Sequence, residues 1–193
     1  MSWITDSGPM RDVVMSSRVR LARNIAGLPF PIIMDKETAR ETMKKVYNAI
    51  MNSNSALVNR LKFIPMYKLD PVERNILVEK HLVSSELIQR ADYTGIIIDD
   101  KEEICIMLNE EDHIRFQCIL AGNQIEEAWD IIDKVDDVME ENIEYSYHET
   151  LGYLTSCPTN VGTGMRASVM MHLPALVYGG HINGILQTIS KIG

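Results

Sequence analysis

Between Leu151 and Pro174 the chain reads LGYLTSCPTNVGTGMRASVMMHLP. One cysteine, Cys157, stands directly before a proline; a Gly-Thr-Gly turn and Arg166 follow, then an apolar run. That order suits a reactive thiol beside an anion-binding loop. Glycines at 162 and 164 let backbone come close to a phosphate, and a thiolate needs positive charge nearby to form at neutral pH. Cys157 cannot sit inside a helix, because a proline disfavours helical geometry in the residue before it. Two other segments carry the same theme, SSRVRLARN at 16–24 and LNEEDHIR at 108–115. Arginines, paired carboxylates and one thiol are an inventory for phosphoryl transfer to a cationic acceptor: cations neutralise the phosphates and anions hold the acceptor.

Each segment taken alone has a plainer reading. Arg18 and Arg20 share one side of an extended segment, since side chains alternate along a strand. They can grip a polyphosphate with forked hydrogen bonds, or they are two solvated surface arginines. Glu110, Glu111 and Asp112 lie just past a strand, with Arg115 on the next. A carboxylate there can orient a guanidinium or take its proton, or the stretch is a charged turn. Cys157 with its glycines is a nucleophile's loop or a buried cysteine beside a tight turn.

The net charge of −8 argues against a general nucleic-acid binder, which needs a basic footprint. Against that acidic background Arg18, Arg20 and Arg23 form a local cluster, which fits a small-anion site. The N-terminus is polar and lacks a signal peptide's apolar core, and no apolar run reaches the roughly 18 residues of a membrane helix. Three cysteines without a secretory signal read as reduced thiols of a cytoplasmic protein. Their spacing matches no zinc pattern, so no resident metal is expected. There is no GxxxxGK[ST] string and no protein-kinase glycine loop, so any ATP chemistry lies outside those two families.

The elements that must position these residues follow from pattern. Asp35 caps a helix to about Met51, with Ala39, Met43, Val46 and Ile50 on one face. Asp70-Pro71 opens a second helix to about Lys80 or His81, with Glu73 three residues after the cap. Residues 95–99 and 104–108 read as a hairpin about the charged turn 100–103, and 114–120 as a third strand; short connections make this an antiparallel meander. A helix over about 124–141 follows Gly122-Asn123, burying Ile125, Ala128, Trp129, Ile132, Val135 and Met139, with its acidic residues as the solvated face. A last helix near 173–192 has a possible break at Gly179-Gly180. The whole predicts one α+β domain over residues 1–193, an antiparallel sheet flanked by helices.

In the order SSRVRLARN, NEEDHIR, CPTNVGTGMRAS, the chain resembles the phosphagen (guanidino) kinase family, from about Val13 onward. VEKHLVS at 78–84 and RASVMMHLPAL at 166–176 resemble the branch whose acceptor is an arginine side chain in a protein. The resemblance implies transfer of the γ-phosphoryl group of ATP, with Mg²⁺, to a guanidinium nitrogen, and arginine-containing proteins as partners. It implies that Ser16, Ser17, Arg18, Val19 and Arg20 form a nucleotide-phosphate segment and that Ala167, Ser168, Val169 and Met170 continue a second nucleotide-binding strip. It places His81 by the adenine and ribose, Arg115 and Arg166 on the phosphates, Glu111 as holder or base of the guanidinium, and Cys157 beside it. Relatives run on from such a last helix into a strand and an RGxxGE loop, whereas this chain stops at Gly193. The expectation is an incomplete catalytic domain with an exposed sheet edge and an apolar patch that self-association or a partner covers. A non-catalytic module holding nucleotide or arginine, or a kinase for a small free guanidine, remain the alternatives.

Overall fold

A computed structural model describes residues 3–53 and 55–192. In chain order its strands are β1 (Val14–Arg23), β2 (Leu61–Pro65), β3 (Gly95–Asp99), β4 (Ile104–Leu108), β5 (Ile114–Ala121), β6 (Tyr147–His148), β7 (Gly152–Tyr153) and β8 (Met165–Met171). Its α-helices are α1 (Lys36–Met51), α2 (Pro71–Glu79), α3 (Ser85–Gln89), α4 (Ile125–Glu140), α5 (Pro174–Tyr178) and α6 (Ile182–Ile189). Six strands form one sheet in the order β2-β3-β4-β5-β1-β8, and every neighbouring pair is antiparallel. The meander β3-β4-β5 is the one the sequence predicts. The place of β1 between β5 and β8 is a long-range pairing that no local pattern encodes. β6 and β7 form a separate small hairpin.

The helix starts are chemically specified. Asp35 Oδ1 accepts from the backbone N–H of Glu37 and Thr38 at 2.9 Å each. Asp70 and Glu73 make a reciprocal capping box, which satisfies two backbone donors that the first turn leaves without helical partners. α1 and α4 cover one face of the sheet. Met43, Val46 and Ile50 of α1 and Ala128, Ile132, Val135 and Met139 of α4 pack there with Val19, Leu21, Ile106, Leu108, Phe116 and Cys118. A fully buried side chain of this kind is worth about 1.5–3 kcal/mol. Ile125 and Trp129 are only partly buried against this core. One acidic residue of α4 departs from the expected solvated face: Asp136 is buried, because it answers a charge on β1.

The opposite face changes character across the sheet. Over β3 and β4, Ile96, Ile98, Cys105 and Met107 lie under Trp3, Met66, Leu82, Val83 and Leu87. From β5 to β8 the same face carries polar and cationic side chains, and these face a cleft. Beyond it, β8 is an edge strand exposed along most of its length. The last helical stretch is split as the glycines imply, with Gly180 at φ +73° between α5 and α6. Val177, Tyr178, Leu186 and Ile189 there are exposed. No helix of the described residues is long and apolar enough to cross a membrane.

Candidate active site

The two strands β1 and β8 set the cationic side of the cleft by register. Arg20 lies opposite Arg166 and Arg18 opposite Ser168, so with strict alternation Ser16, Arg18, Arg20, Arg166, Ser168 and Met170 share one face. Arg18 Nε donates to Ser168 Oγ at 3.4 Å. Arg20 Nε is buried and has no hydrogen-bond partner. Burial first, then Arg18, Arg115 and Arg166, push the Arg20 guanidinium down to about 10, with Glu110 pulling the other way. Burial and Arg166 also hold Arg18 below its ordinary value. Crowding like charges is unfavourable, Glu110 offsets only part of it at Arg20, and a polyanion bound in the cleft would relieve it.

Arg20, Arg115 and Arg166 line a cavity of about 270 Å³ together with Glu111, Cys157, Thr159, Asn160 and Gly164. Cys157 is extended (φ −93°, ψ 120°) and precedes a 3₁₀ turn over Pro158–Asn160, as the Cys-Pro step requires. Its Sγ lies 3.0 Å from Thr159 Oγ1, and its carbonyl accepts from Thr155 Oγ1 at 2.8 Å. The loop then returns through Gly164 at φ +65°. A Cβ at Gly164 would stand 2.5 Å from the Ala22 carbonyl oxygen and 2.6 Å from Arg23 Nη1, so this glycine is a requirement of close approach. Its carbonyl accepts from Ala22 N at 2.8 Å, which stitches the cysteine loop to β1.

The carboxylates sit on the turn between β4 and β5. Asn109 opens it at φ +57°, and its amide donates to the carbonyls of Ala39 and Tyr93 at 2.6 and 3.0 Å. Arg115 places Nη1 2.7 Å from Glu110 Oε2 and Nη2 2.7 Å from Glu111 Oε2. Glu110 is buried, while the Glu111 side chain is 43% exposed. Asp112 is fully buried and turned inward; its Oδ1 accepts from Asn24 Nδ2 and from Ser156 N, both at 2.7 Å. It thereby ties the carboxylate turn to β1 and to the residue before Cys157. Asn24 and Ser156 were not among the expected site residues. Asn24 closes the SSRVRLARN string, so its presence was visible but its bridging role was not.

A second cavity of about 220 Å³ adjoins the arginines and is lined by Ser16, Arg18, His81, Ile119, Ser168, Val169 and Met170. His81 follows α2 at φ +57°. Its ring lies 5.9 Å from the Trp3 ring, centroid to centroid, and its carbonyl accepts from Gln117 Nε2 at 2.8 Å. Three residues of the expected nucleotide strips face the other way. Val19 is in the helix-side core. Ser17 Oγ donates to the Gly122 carbonyl at 2.8 Å and accepts from Gln124 N at 2.9 Å. Ala167 pairs with Val19 in register. The alternation that brings Arg18 and Arg20 together sends their neighbours to the opposite face.

Arg23 also leaves the expected cluster. Its Nε and Nη2 donate to Asp136 Oδ2 at 3.0 and 2.6 Å, and Nη1 donates to the carbonyls of Ala22 and Thr163 at 2.9 Å each. Its guanidinium carbon stands 3.6 Å from the Tyr153 ring centroid, and Tyr145 Oη donates to Asp136 Oδ1 at 2.8 Å. Burial raises the Asp136 carboxyl from its ordinary value, against the pull of Arg23 and of the tyrosine hydroxyl. This arginine is internally satisfied and fastens the loop at Thr163.

An arginine-walled cleft that also holds a carboxylate and a thiol, on an antiparallel sheet backed by helices, is the arrangement of a guanidino phosphotransferase. Residues 41–193 match the ATP:guanido phosphotransferase, C-terminal catalytic domain, and the chain belongs to that family. It is 51% identical over 183 residues to the protein-arginine kinase of Caldanaerobacter subterraneus subsp. tengcongensis, covering 95% of this chain and 54% of that relative. It is 48% identical over 192 residues to the protein-arginine kinase of Desulforamulus reducens, covering 99% of this chain and 54% of the relative. The chain thus spans about half the length of the curated relatives it matches. Among solved structures, lombricine kinase aligns with a TM-score of 0.73 at 26% identity, over 87% of this chain and 50% of that one. The duplicated taurocyamine kinase of Schistosoma mansoni with bound transition state analog components shares the fold, with a TM-score of 0.79 at 23% identity over 93% of this chain and 26% of that one.

Proposed function

We propose that residues 1–193 are the N-terminal portion of a catalytic domain that transfers the γ-phosphoryl group of ATP to arginine side chains of proteins. The observation that carries this is the convergence of Arg20, Arg115, Arg166, Glu111 and Cys157 on one cleft. Phosphoryl transfer needs in-line alignment and charge neutralisation more than covalent help from the protein. Arg18, Arg20, Arg115 and Arg166 would hold the phosphates. The cavity with Ser16, His81, Ser168, Val169 and Met170 would take the ribose and base. Glu111 would hold the acceptor guanidinium, with Cys157 on its other flank. The guanidine nitrogen attacks the γ-phosphorus with its lone pair, the bond to the bridging oxygen breaks, and ADP leaves. The nitrogen's proton passes to Glu111 or through it to water. Among the described residues no group of three carboxylate, histidine or cysteine side chains could hold a metal ion. Mg²⁺ would enter with the nucleotide and help neutralise its phosphates. The acceptor class follows the relatives, which are named protein-arginine kinases. Three free cysteines support a reducing compartment such as the cytoplasm.

The deciding assay incubates this chain with Mg-ATP and an unfolded arginine-containing protein, and separately with free arginine. Products are read by mass spectrometry without acid, since the phosphorus–nitrogen bond is acid-labile. Phosphoarginine on the protein is the expected result; transfer to free arginine in preference would make it a small-guanidine kinase. A second reading, a module that binds nucleotide without turnover, is favoured by one observation: Arg166 lies on the exposed edge strand β8, so one wall of the cleft is open to solvent. Retained ATP binding with no product from either acceptor would select it.

A further inference from the structure

The guanidinium of Arg115 stands in the wall between two cavities. One is the arginine-lined cleft; the other, of about 420 Å³, is lined by Ile32, Glu86, Arg90, Glu110 and Ser156. Glu111 and Arg115 line both. In that wall the two nitrogens of Arg115 each meet a carboxylate oxygen at 2.7 Å, one on Glu110 and one on Glu111. A planar guanidinium on Glu111 is the contact that an acceptor arginine would make, and Glu111 cannot serve both fully.

We infer that Arg115 is an internal stand-in for the acceptor guanidinium, and that a polyphosphate entering the cleft frees Glu111 by drawing Arg115 away from it. The inference rests on the proposed role of Glu111. The two carboxylates are built differently for such an exchange. Glu110 is 4% exposed, accepts from Ser84 Oγ at 2.7 Å and from Glu111 N at 2.9 Å, and is a fixed anchor for Nη1. Glu111 is 43% exposed, so water or a ligand can replace Nη2 at little cost. Asp112 Oδ2, buried and without a hydrogen-bond partner, lies 3.9 Å from Nη2 and is a second acceptor near its path. Arg115 already acts on the anion position, since it is among the charges that depress Arg20. A phosphate offers it several charge-assisted hydrogen bonds in place of one. Because coupling between two ligands is reciprocal, occupancy of Glu111 and capture of phosphate by Arg115 must each favour the other.

The test is calorimetric, with Nα-acetyl-arginine amide as acceptor and Mg-AMP-PNP as nucleotide. The wild type is expected to bind the acceptor about tenfold more tightly when nucleotide is present. Direct attraction between phosphate and guanidinium would also do that, so the variants decide. Arg115→Gln should bind the acceptor about tenfold more tightly than wild type without nucleotide, because Glu111 is already free. Arg166→Gln removes the same charge from the cleft without a contact to Glu111 and should not. From the other side, Glu111→Gln releases Arg115 and should bind Mg-AMP-PNP several-fold more tightly; this variant decides the matter if Arg115→Gln does not fold. Equal effects of Arg115→Gln and Arg166→Gln on the acceptor, or unchanged nucleotide affinity in Glu111→Gln, overturn the exchange. A wild type that binds neither ligand overturns the proposed function and the exchange with it.

Discussion

Arg20 and Arg23 lie three residues apart on one strand and end in opposite situations. Arg23 points to the helix side, where Asp136, two backbone carbonyls and the Tyr153 ring satisfy it. Arg20 points to the cleft, where three other arginines crowd it and its buried Nε has no partner. A satisfied buried arginine is part of the scaffold. One crowded by like charges, with a buried Nε unpaired, is the candidate anion site of the proposed function. Burial holds the Asp136 carboxyl above its ordinary value even beside Arg23; what such a buried pair resists is the loss of one member.

That contrast can be broken most forcefully at Arg23. Arg23→Ala leaves Asp136 buried and unpaired and should cost about 3–5 kcal/mol in urea unfolding; a cost below about 1 kcal/mol would remove the distinction between the two arginines. Next comes Gly164→Ala. A side chain at φ +65° that meets the Ala22 carbonyl and Arg23 should cost about 1–3 kcal/mol, and the displaced loop should weaken anion binding as well. Stability lost without any effect on anion binding would detach the loop from the site.

Arg20→Gln sharpens the comparison from the other side. It should leave unfolding unchanged or raise stability slightly, while tripolyphosphate affinity falls about 10–100-fold, the worth of about 1.5–3 kcal/mol for hydrogen bonds to a charged group. Destabilisation by this variant would mean that Arg20 belongs to the scaffold. The smallest effect is on pH dependence. With its folded value lowered to about 10, Arg20 stays protonated at neutral pH in folded and unfolded chains alike. Between about 10 and the ordinary arginine value the unfolded chain holds more protons, so Arg20's contribution to stability rises with pH through that window. Anion affinity should fall over the same range as the free protein loses this charge. The Arg20→Gln variant should lack both inflections.

Much of the framework was legible because it rests on local chemistry. Asp35, Asp70 and Pro71 mark helix starts by chemistry within a turn, and the short apolar runs of 95–120 turn at short range. The six-stranded order was not legible, because β1 pairs with β5 and β8 across about 100 and 150 residues, and register at such separation is chosen by the whole core. The same gap explains the site. Alternation shows that Arg18 and Arg20 share a face, but not that Ser17, Val19 and Arg23 face a helix. An acidic helix reads as solvated until a partner such as Arg23 is placed beneath Asp136. Asn24 and Ser156 carry no sign of their use, since an amide or a backbone N–H becomes a bridge only when Asp112 lies within 2.7 Å.

The order of the three strings, their residue types and the turn glycines were settled by the sequence, because each depends on side-chain chemistry or on φ at a single residue. Which arginine is satisfied inside the fold and which faces the cleft was decided only in three dimensions. Charge is a property of the residue, but satisfaction is a property of what packs against it, and for Arg20 and Arg23 that differs by the two sides of one sheet.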